Sequence, residues 1–404
     1  MKIVHVISSI DPSQGGPQSS CVRLAAAQSA FGNDVHIVSY GGADVRQRAF
    51  QSAHDVPLFS HIQWHLLDDP GRIEQLLCVD GAKALREVLQ GASFVHIHGV
   101  WEPVLRSAAR IARQKQIPYC IQPHGMLDAW SMKQKQLKKR VALFLGYRKM
   151  LDQADFLVTL NADEARLLEP LHLKVPNLTV PNGIFLEEFT DLPQKGYFRE
   201  RLSLREGTRI ILFLSRLHTK KGLDILGTAF SLIAASHPDA DLVVAGPDGG
   251  ARESFVAQID QLNLSDRVHL TGPIYGRDKL RALVDAGCFC LPSRQEGFSI
   301  AITEALACGL PSVISDACHF PEVGTANAGI VVRLDPVDVA HALAQVLDDP
   351  TMASTMGKNG QRLVRENYTW PRIAEVLIQG YNSVGRGKRT MLPGQNTLVA
   401  AADH

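Results

Sequence analysis

A chain of 404 residues is long enough for two globular domains and too short for four. Hydrophobic residues make up 45% and charged residues 21%, the balance of a soluble folded protein, which excludes wholesale disorder. Lys and Arg number 42 against 41 Asp and Glu, so no global field points to nucleic acid as a partner. In chain order, β-branched runs at 3–8, 34–39, 93–97, 118–122 and 155–159 read as strands. A second series follows at 209–215, 241–245, 267–271, 288–292, 311–315 and 329–332. Amphipathic stretches lie between them, among others 17–31, 76–90, 103–115, 133–151, 222–236, 276–286 and 299–308, and read as helices. Such alternation predicts parallel sheets covered on both faces, because a parallel crossover needs a helix. The irregular stretch 185–208, with Pro193, Gly196 and Gly207, separates the two series. The expected class is therefore α/β, two Rossmann-like doubly wound parallel-sheet domains over 1–186 and 187–369. The polar, small-residue tail 385–404 is expected to be loose.

No apolar run approaches the ~18 residues of a membrane span. The opening MKIVHVIS patterns as a strand and is too short for a signal-peptide core. Seven scattered cysteines without a CxxC pair argue against a disulfide framework or a zinc ribbon. A cytoplasmic enzyme is the expectation. Ligands of doubly wound sheets bind outside the carboxyl ends of the strands, so functional residues should follow strands directly. The unusual residues of this sequence do so: Gly15 and Gly16, His124, Arg216, Gly246, Gly272 and Glu296. Two such sets of strand ends imply a ligand clamped between domains.

The richest segment is SRQEGFSIAITEALACGLP, 293–311. Glu296 and Glu304 are eight apart, Gly297 allows close backbone approach, and Ser299 is a candidate N-cap. The free N–H groups of that first turn suit an anion such as a phosphate, while one acid addresses a sugar and the other a ribose. Read alone, the segment is equally a capped helix with two solvated glutamates. In RIILFLSRLHTKKG, 209–222, Arg216 and Lys221 can neutralise a diphosphate without metal, against the alternative of a solvated basic turn. The turn IDPSQGGPQSS, 10–20, is not GxGxxG, so the dinucleotide fingerprint of a dehydrogenase is missing. HIHGVW (96–101) and QPHGMLDAW (122–130) set His98 and His124 beside glycines at strand ends. Because His96 and His98 alternate, one of them is expected to face the core. A metal on His96, His98 and His124 lacks a nearby acidic or Cys ligand, and none is expected. The stretch 131–150 carries Lys133, Lys135, Lys138, Lys139, Arg140, Arg148 and Lys149 and no acidic residue. It reads as an amphipathic helix able to touch an anionic membrane or lipid-linked acceptor, or as an ordinary solvated basic face. Asp239-Ala240-Asp241 spells a metal–diphosphate pattern but precedes a strand, the wrong end of a sheet.

With these residues in view, the sequence resembles retaining GT-B glycosyltransferases of glycosyltransferase family 4 from residue 1 to about 384. Glu296–Glu304 resembles the family's E-x7-E element and Arg216–Lys221 its R-x4-K phosphate pair. VPNGI (180–184), AGPDGG (245–250) and LTGPI (270–274) are similar to its domain-end and donor-site motifs, and PHGMLDAW to transferases of bacterial surface and exopolysaccharides. The resemblance implies a GT-B fold, two domains facing across a cleft, with a last helix near 370–384 crossing back onto the first domain. It implies that Glu296 contacts the transferred sugar, that Gly297, Phe298 and Ser299 offer backbone groups, and that Glu304 holds the ribose. Ile274 would lie near the base, Gly246 at the donor, and Arg216 and Lys221 at the leaving diphosphate. Gly16 would let the first domain close, His124 would sit at the reaction centre, and His98 on the acceptor side. The implied partners are a nucleotide-sugar (UDP-glucose foremost, GDP-sugars next) and a saccharide or lipid-linked acceptor, with no metal or other cofactor. A sugar-nucleotide epimerase, a phosphorylase and a non-catalytic nucleotide-sugar-binding scaffold are the rivals.

Overall fold

A computed structural model describes residues 1–53, 56–127, 139 and 141–384. The chain divides into two compact units, one of Met1–Phe185 with the C-terminal segment from Trp370, the other of Leu186–Thr369. Lys133, Lys135, Lys138 and Arg140 of the basic stretch, and the tail 385–404, lie outside the described residues.

The first unit is built on seven parallel strands, β1 (Lys2–Ser9), β2 (Asp34–Tyr40), β3 (Gln63–Leu67), β4 (Phe94–His98), β5 (Tyr119–Gln122), β6 (Phe156–Thr159) and β7 (Asn177–Thr179), in the order β3-β2-β1-β4-β5-β6-β7. Successive side chains of a strand point to opposite faces, and both faces here are apolar. Val4 and Val6 pack on one side with Val95, Ile97 and Ile121. Ile3 and Ile7 pack on the other with Phe94, Phe156 and Val158. This second face is closed by the helix Gly16–Ala30 and by the last helix, Trp370–Val384, through Trp370, Ile373, Leu377 and Tyr381. The Trp370 N–H donates to the Ile184 carbonyl, where that helix joins the unit. β3 and β7 were not read from the sequence. They are the two edges of the sheet, one half-buried along its length and the other only three residues long.

The second unit holds six strands, β8 (Arg209–Leu214), β9 (Ala240–Ala245), β10 (Val268–Gly272), β11 (Cys288–Leu291), β12 (Ser312–Ser315) and β13 (Gly329–Val332), in the order β10-β9-β8-β11-β12-β13. The order reverses at β8–β11, as it does at β1–β4 in the first sheet, and a crevice opens outside the strand ends at such a switch point. Among the described residues no helix is long and apolar enough to cross a membrane.

Candidate active site

In the second unit the loops after β8 and β11 meet at the switch point. Lys221 donates from Nζ to Glu296 Oε1 at 2.6 Å, and the Glu296 carboxylate is almost wholly withdrawn from solvent. Backbone holds the two loops together: Arg294 N–H and the Ser293 hydroxyl both donate to the Lys220 carbonyl, at 2.6 and 2.9 Å. The Arg294 guanidinium adds a two-pronged contact to Asp224, at 2.8 and 2.6 Å, and holds that carboxyl below its usual range. Gly222 makes the junction close enough. Its φ is +70°, and a Cβ would lie 1.9 Å from the Pro292 carbonyl oxygen. Gly246 plays the same part after β9, where a Cβ would strike the Ser215 carbonyl. Arg216 is exposed, its stem laid over Gly249.

The helix Ile300–Ala307 begins at this junction with Ser299 at its N-cap. The Ser299 side chain makes no capping bond, which corrects the expectation drawn from its residue type. The first-turn N–H groups are thus not taken up by that hydroxyl. Phe298 packs on Phe320 and Tyr368, anchoring the backbone of 297–299, while Gly297 is exposed. Glu304 sits in the helix's second turn and accepts from Lys279 Nζ at 2.5 Å. The sequence reading missed Lys279, which lies on the helix after LTGPI with nothing in its spacing to tie it to Glu304. Ile274 is buried in the loop after β10. The Asp239–Asp241 pair lies at the entry of β9, where Asp241 is buried against Arg267 and His269. An open crevice of about 370 Å³ lined by Lys195, Arg199 and Asp285 also sits at the entry side, by the start of β8.

In the first unit the histidines at the switch point are held neutral by burial. Gly16 opens its helix, and a Cβ there would meet nothing within 4 Å, so packing does not require glycine. His124 follows β5 with φ +53° and is partly exposed. His98 ends β4, 2% exposed, with Nδ1 3.1 Å from His124 Nε2 and Nε2 2.9 Å from His5 Nδ1. Both its nitrogens are therefore engaged within the cluster. One of His96 and His98 was expected to face the core, and both do. Residues two apart on a strand share a face, and the rings stack at 4.2 Å, both buried. The cluster whose ligand atoms lie within 4.8 Å is His5, His96 and His98, not His96, His98 and His124. His5 and His98 turn their nitrogens on each other at 2.9 Å rather than on a common point. His5 was overlooked in the sequence; a titratable residue inside the apolar run IVHVI, paired in register with His96, was the available signal. Nearby, burial raises the Glu102 carboxyl above its usual range.

Two units, each built on a doubly wound parallel sheet, are the architecture of the GT-B fold. Residues 15–183 match the family described as Glycosyl transferase 4-like domain, and residues 194–363 that described as Glycosyl transferases group 1. Each unit thus matches a glycosyltransferase family, and the two matches together span most of the chain. A GDP-mannose-dependent monoacylated alpha-(1-6)-phosphatidylinositol monomannoside mannosyltransferase of Corynebacterium glutamicum is 31% identical over 49% of this chain and 54% of its own. A GDP-mannose-dependent alpha-(1-6)-phosphatidylinositol dimannoside mannosyltransferase of Mycobacterium tuberculosis is 25% identical over 94% of this chain and 95% of its own. The first curated relatives are matched over only 54 to 62% of their lengths. Among solved structures, Anabaena HepE in complex with UDP shares the fold with a TM-score of 0.77, at 17% identity, over 95% of this chain and 100% of that one.

Proposed function

We propose that the protein transfers a hexosyl group from a nucleotide-sugar to a saccharide or lipid-linked saccharide acceptor of the cell envelope, with retention of anomeric configuration. The observation that carries this is the Lys221–Glu296 pair, held by paired loops at the switch point beside the N-terminus of the helix Ile300–Ala307. As the glycosidic C–O bond breaks, charge builds on the leaving diphosphate. Arg216, Lys221 and the N–H groups of 300–302 are the preorganised donors for that charge, so the step needs no metal. Glu296 takes the transferred sugar's hydroxyls and Glu304 the ribose, with Gly297, Phe298 and Ser299 lending backbone groups and Gly246 and Ile274 flanking the nucleotide. His124 and Gly16 are the first unit's own candidates for a part in the reaction. No carboxylate is assigned as a nucleophile, and the acceptor attacks from the face the diphosphate leaves.

GDP-mannose, named for the two mannosyltransferases, and UDP-glucose are the first donors to try. Phosphatidylinositol-linked acceptors in those names support a lipid-linked acceptor here, as do Ile73, Leu76 and Leu77, all about 70% exposed on one short helix of the first unit. Peripheral contact through 131–150 belongs to the same reading, and charge reversal at Lys138, Lys139 and Arg140 should abolish co-sedimentation with anionic liposomes. The test of function is a thermal-shift and hydrolysis screen of UDP-, GDP-, ADP- and TDP-sugars, with and without EDTA. One donor should stabilise the protein and release nucleotide slowly, indifferent to EDTA. Binding without turnover, even with acceptors supplied, would favour the scaffold.

A further inference from the structure

The histidines of the first unit form one hydrogen-bonded chain that reaches from His124 to the last helix. His124 Nε2 lies 3.1 Å from His98 Nδ1, His98 Nε2 2.9 Å from His5 Nδ1, and His5 Nε2 2.8 Å from Gln28 Oε1. Gln28 Nε2 donates to the Tyr381 hydroxyl at 3.1 Å, and that hydroxyl lies 2.6 Å from His96 Nδ1. Every member except His124 is buried. Desolvation holds the rings neutral: His5 and His124 are pushed down to about 4, and His96 and His98 well below the ordinary histidine value.

A neutral imidazole has one N–H and one lone pair, so along such a chain the direction of any one hydrogen bond sets all the others. Two places fix it. Gln28 offers its oxygen to His5 and its amide N–H to Tyr381. His5 therefore carries its proton on Nε2, and its Nδ1 accepts from His98. At the far end, His96 Nε2 and Gln122 Oε1 are both buried without a well-formed bond, and Gln122 favours a proton on His96. An N–H at that nitrogen faces an oxygen, whereas a bare nitrogen would set lone pair against lone pair. Both ends give the same polarity.

We infer that this relay holds His124 as its Nε2–H tautomer with Nδ1 as the ring's only acceptor, making Gln28 and Tyr381 positioning residues for it. A group bound at Nδ1 must then itself be a hydrogen-bond donor, a sugar hydroxyl rather than a phosphate or carboxylate oxygen. The tautomer follows from the buried chain alone; its effect on turnover rests on the proposed function, with His124 at the reaction centre.

The test is long-range 1H–15N correlation spectroscopy of the full-length protein labelled with 15N at histidine, with His124→Gln to assign the ring. At pH 7.5 His124 should carry its proton on Nε2 and none on Nδ1. Tyr381→Phe removes one hydroxyl and keeps the ring; Gln28→Leu removes the link to His5. In either, the polarity is no longer imposed and His124 should become a mixture of tautomers. Turnover should then fall about two- to tenfold, as the competent tautomer is diluted. A wild-type His124 protonated on Nδ1 overturns the relay, and so does an unmixed Nε2–H form in both variants with thermal melts showing them folded. Should both variants fail to fold, the wild-type spectrum alone still decides. The expected tautomer and its loss in the variants, in a protein that turns over no nucleotide-sugar, would uphold the relay and overturn the transferase.

Discussion

The two switch points solve opposite electrostatic problems. In the second unit the residues at the strand ends are charged and paired, Lys221 with Glu296, Lys279 with Glu304 and Arg294 with Asp224. In the first unit the corresponding place is occupied by neutral rings linked to one another and withdrawn into the core. A partner carrying negative charge is met by fixed cations whose own counter-charges keep them in place, without reorganisation. A partner that must be oriented rather than neutralised is met by a network whose members each offer one donor and one acceptor. The difference teaches that the same topology supplies only the location; the residue types decide whether the site binds charge or sets direction.

The comparison breaks first at Arg216. If the second site works through developing charge, Arg216→Ala should lose roughly 10²–10³ in turnover, about 2.7–4 kcal/mol of transition-state stabilisation. The exposed side chain should leave the thermal midpoint nearly unmoved. Steady-state kinetics with the donor found by the screen, beside a melting curve, checks both halves, and unchanged turnover would refute the assignment. The first site predicts a pH effect. His5 is held neutral down to about 4 in the folded chain, whereas an ordinary histidine protonates near 6.5. Between these values the unfolded chain binds the extra proton, so stability is complete above pH 6.5 and falls as the pH is lowered toward 4. The loss for this ring alone is about 3 kcal/mol, with His96, His98 and His124 adding in the same direction. Urea midpoints at pH 7.5, 5.5 and 4.5 measure it, and a flat profile would contradict a neutral cluster.

Gly222→Ala tests whether the charged junction depends on backbone contact. The substitution forces a left-handed residue against the Pro292 carbonyl, at a cost of about 1–3 kcal/mol. It should lower the melting midpoint and weaken donor binding together; a drop in one without the other would separate the loops from the site. The smallest expected effect is at Arg294. Its pair with Asp224 is substantially exposed on both sides, so Arg294→Ala should cost no more than ~1 kcal/mol in a denaturant titration. A larger loss would mean that the lock on the loop, rather than the charges within it, governs the site.

What the sequence disclosed divides along similar lines. Central strands announce themselves by continuous apolar runs, and all of those read from the sequence are present. The edges β3 and β7 carry no such signal, because a strand that is half-wet or three residues long need not be apolar. Residues that follow strands, such as Arg216 and Glu296, could be singled out because topology fixes where strand ends go. Gln28 and Tyr381 could not, since their meeting with His5 and His96 depends on which face the first and last helices cover. Ser299 shows a further limit: its position in the helix could be read, but not whether its hydroxyl would cap the turn.

The last helix has one more consequence, for the order in which the protein can fold. The last helix completes, through residues such as Trp370, Leu377 and Tyr381, a core whose remaining members lie before residue 186, so the first unit is interrupted by nearly two hundred residues of foreign chain. During synthesis the N-terminal sheet emerges first but waits with one face only partly covered, whereas the later unit is continuous and can close as soon as it has left the ribosome. The long loop that must be closed before Tyr381 can dock makes the earlier unit the slower one. The segment made first is finished last.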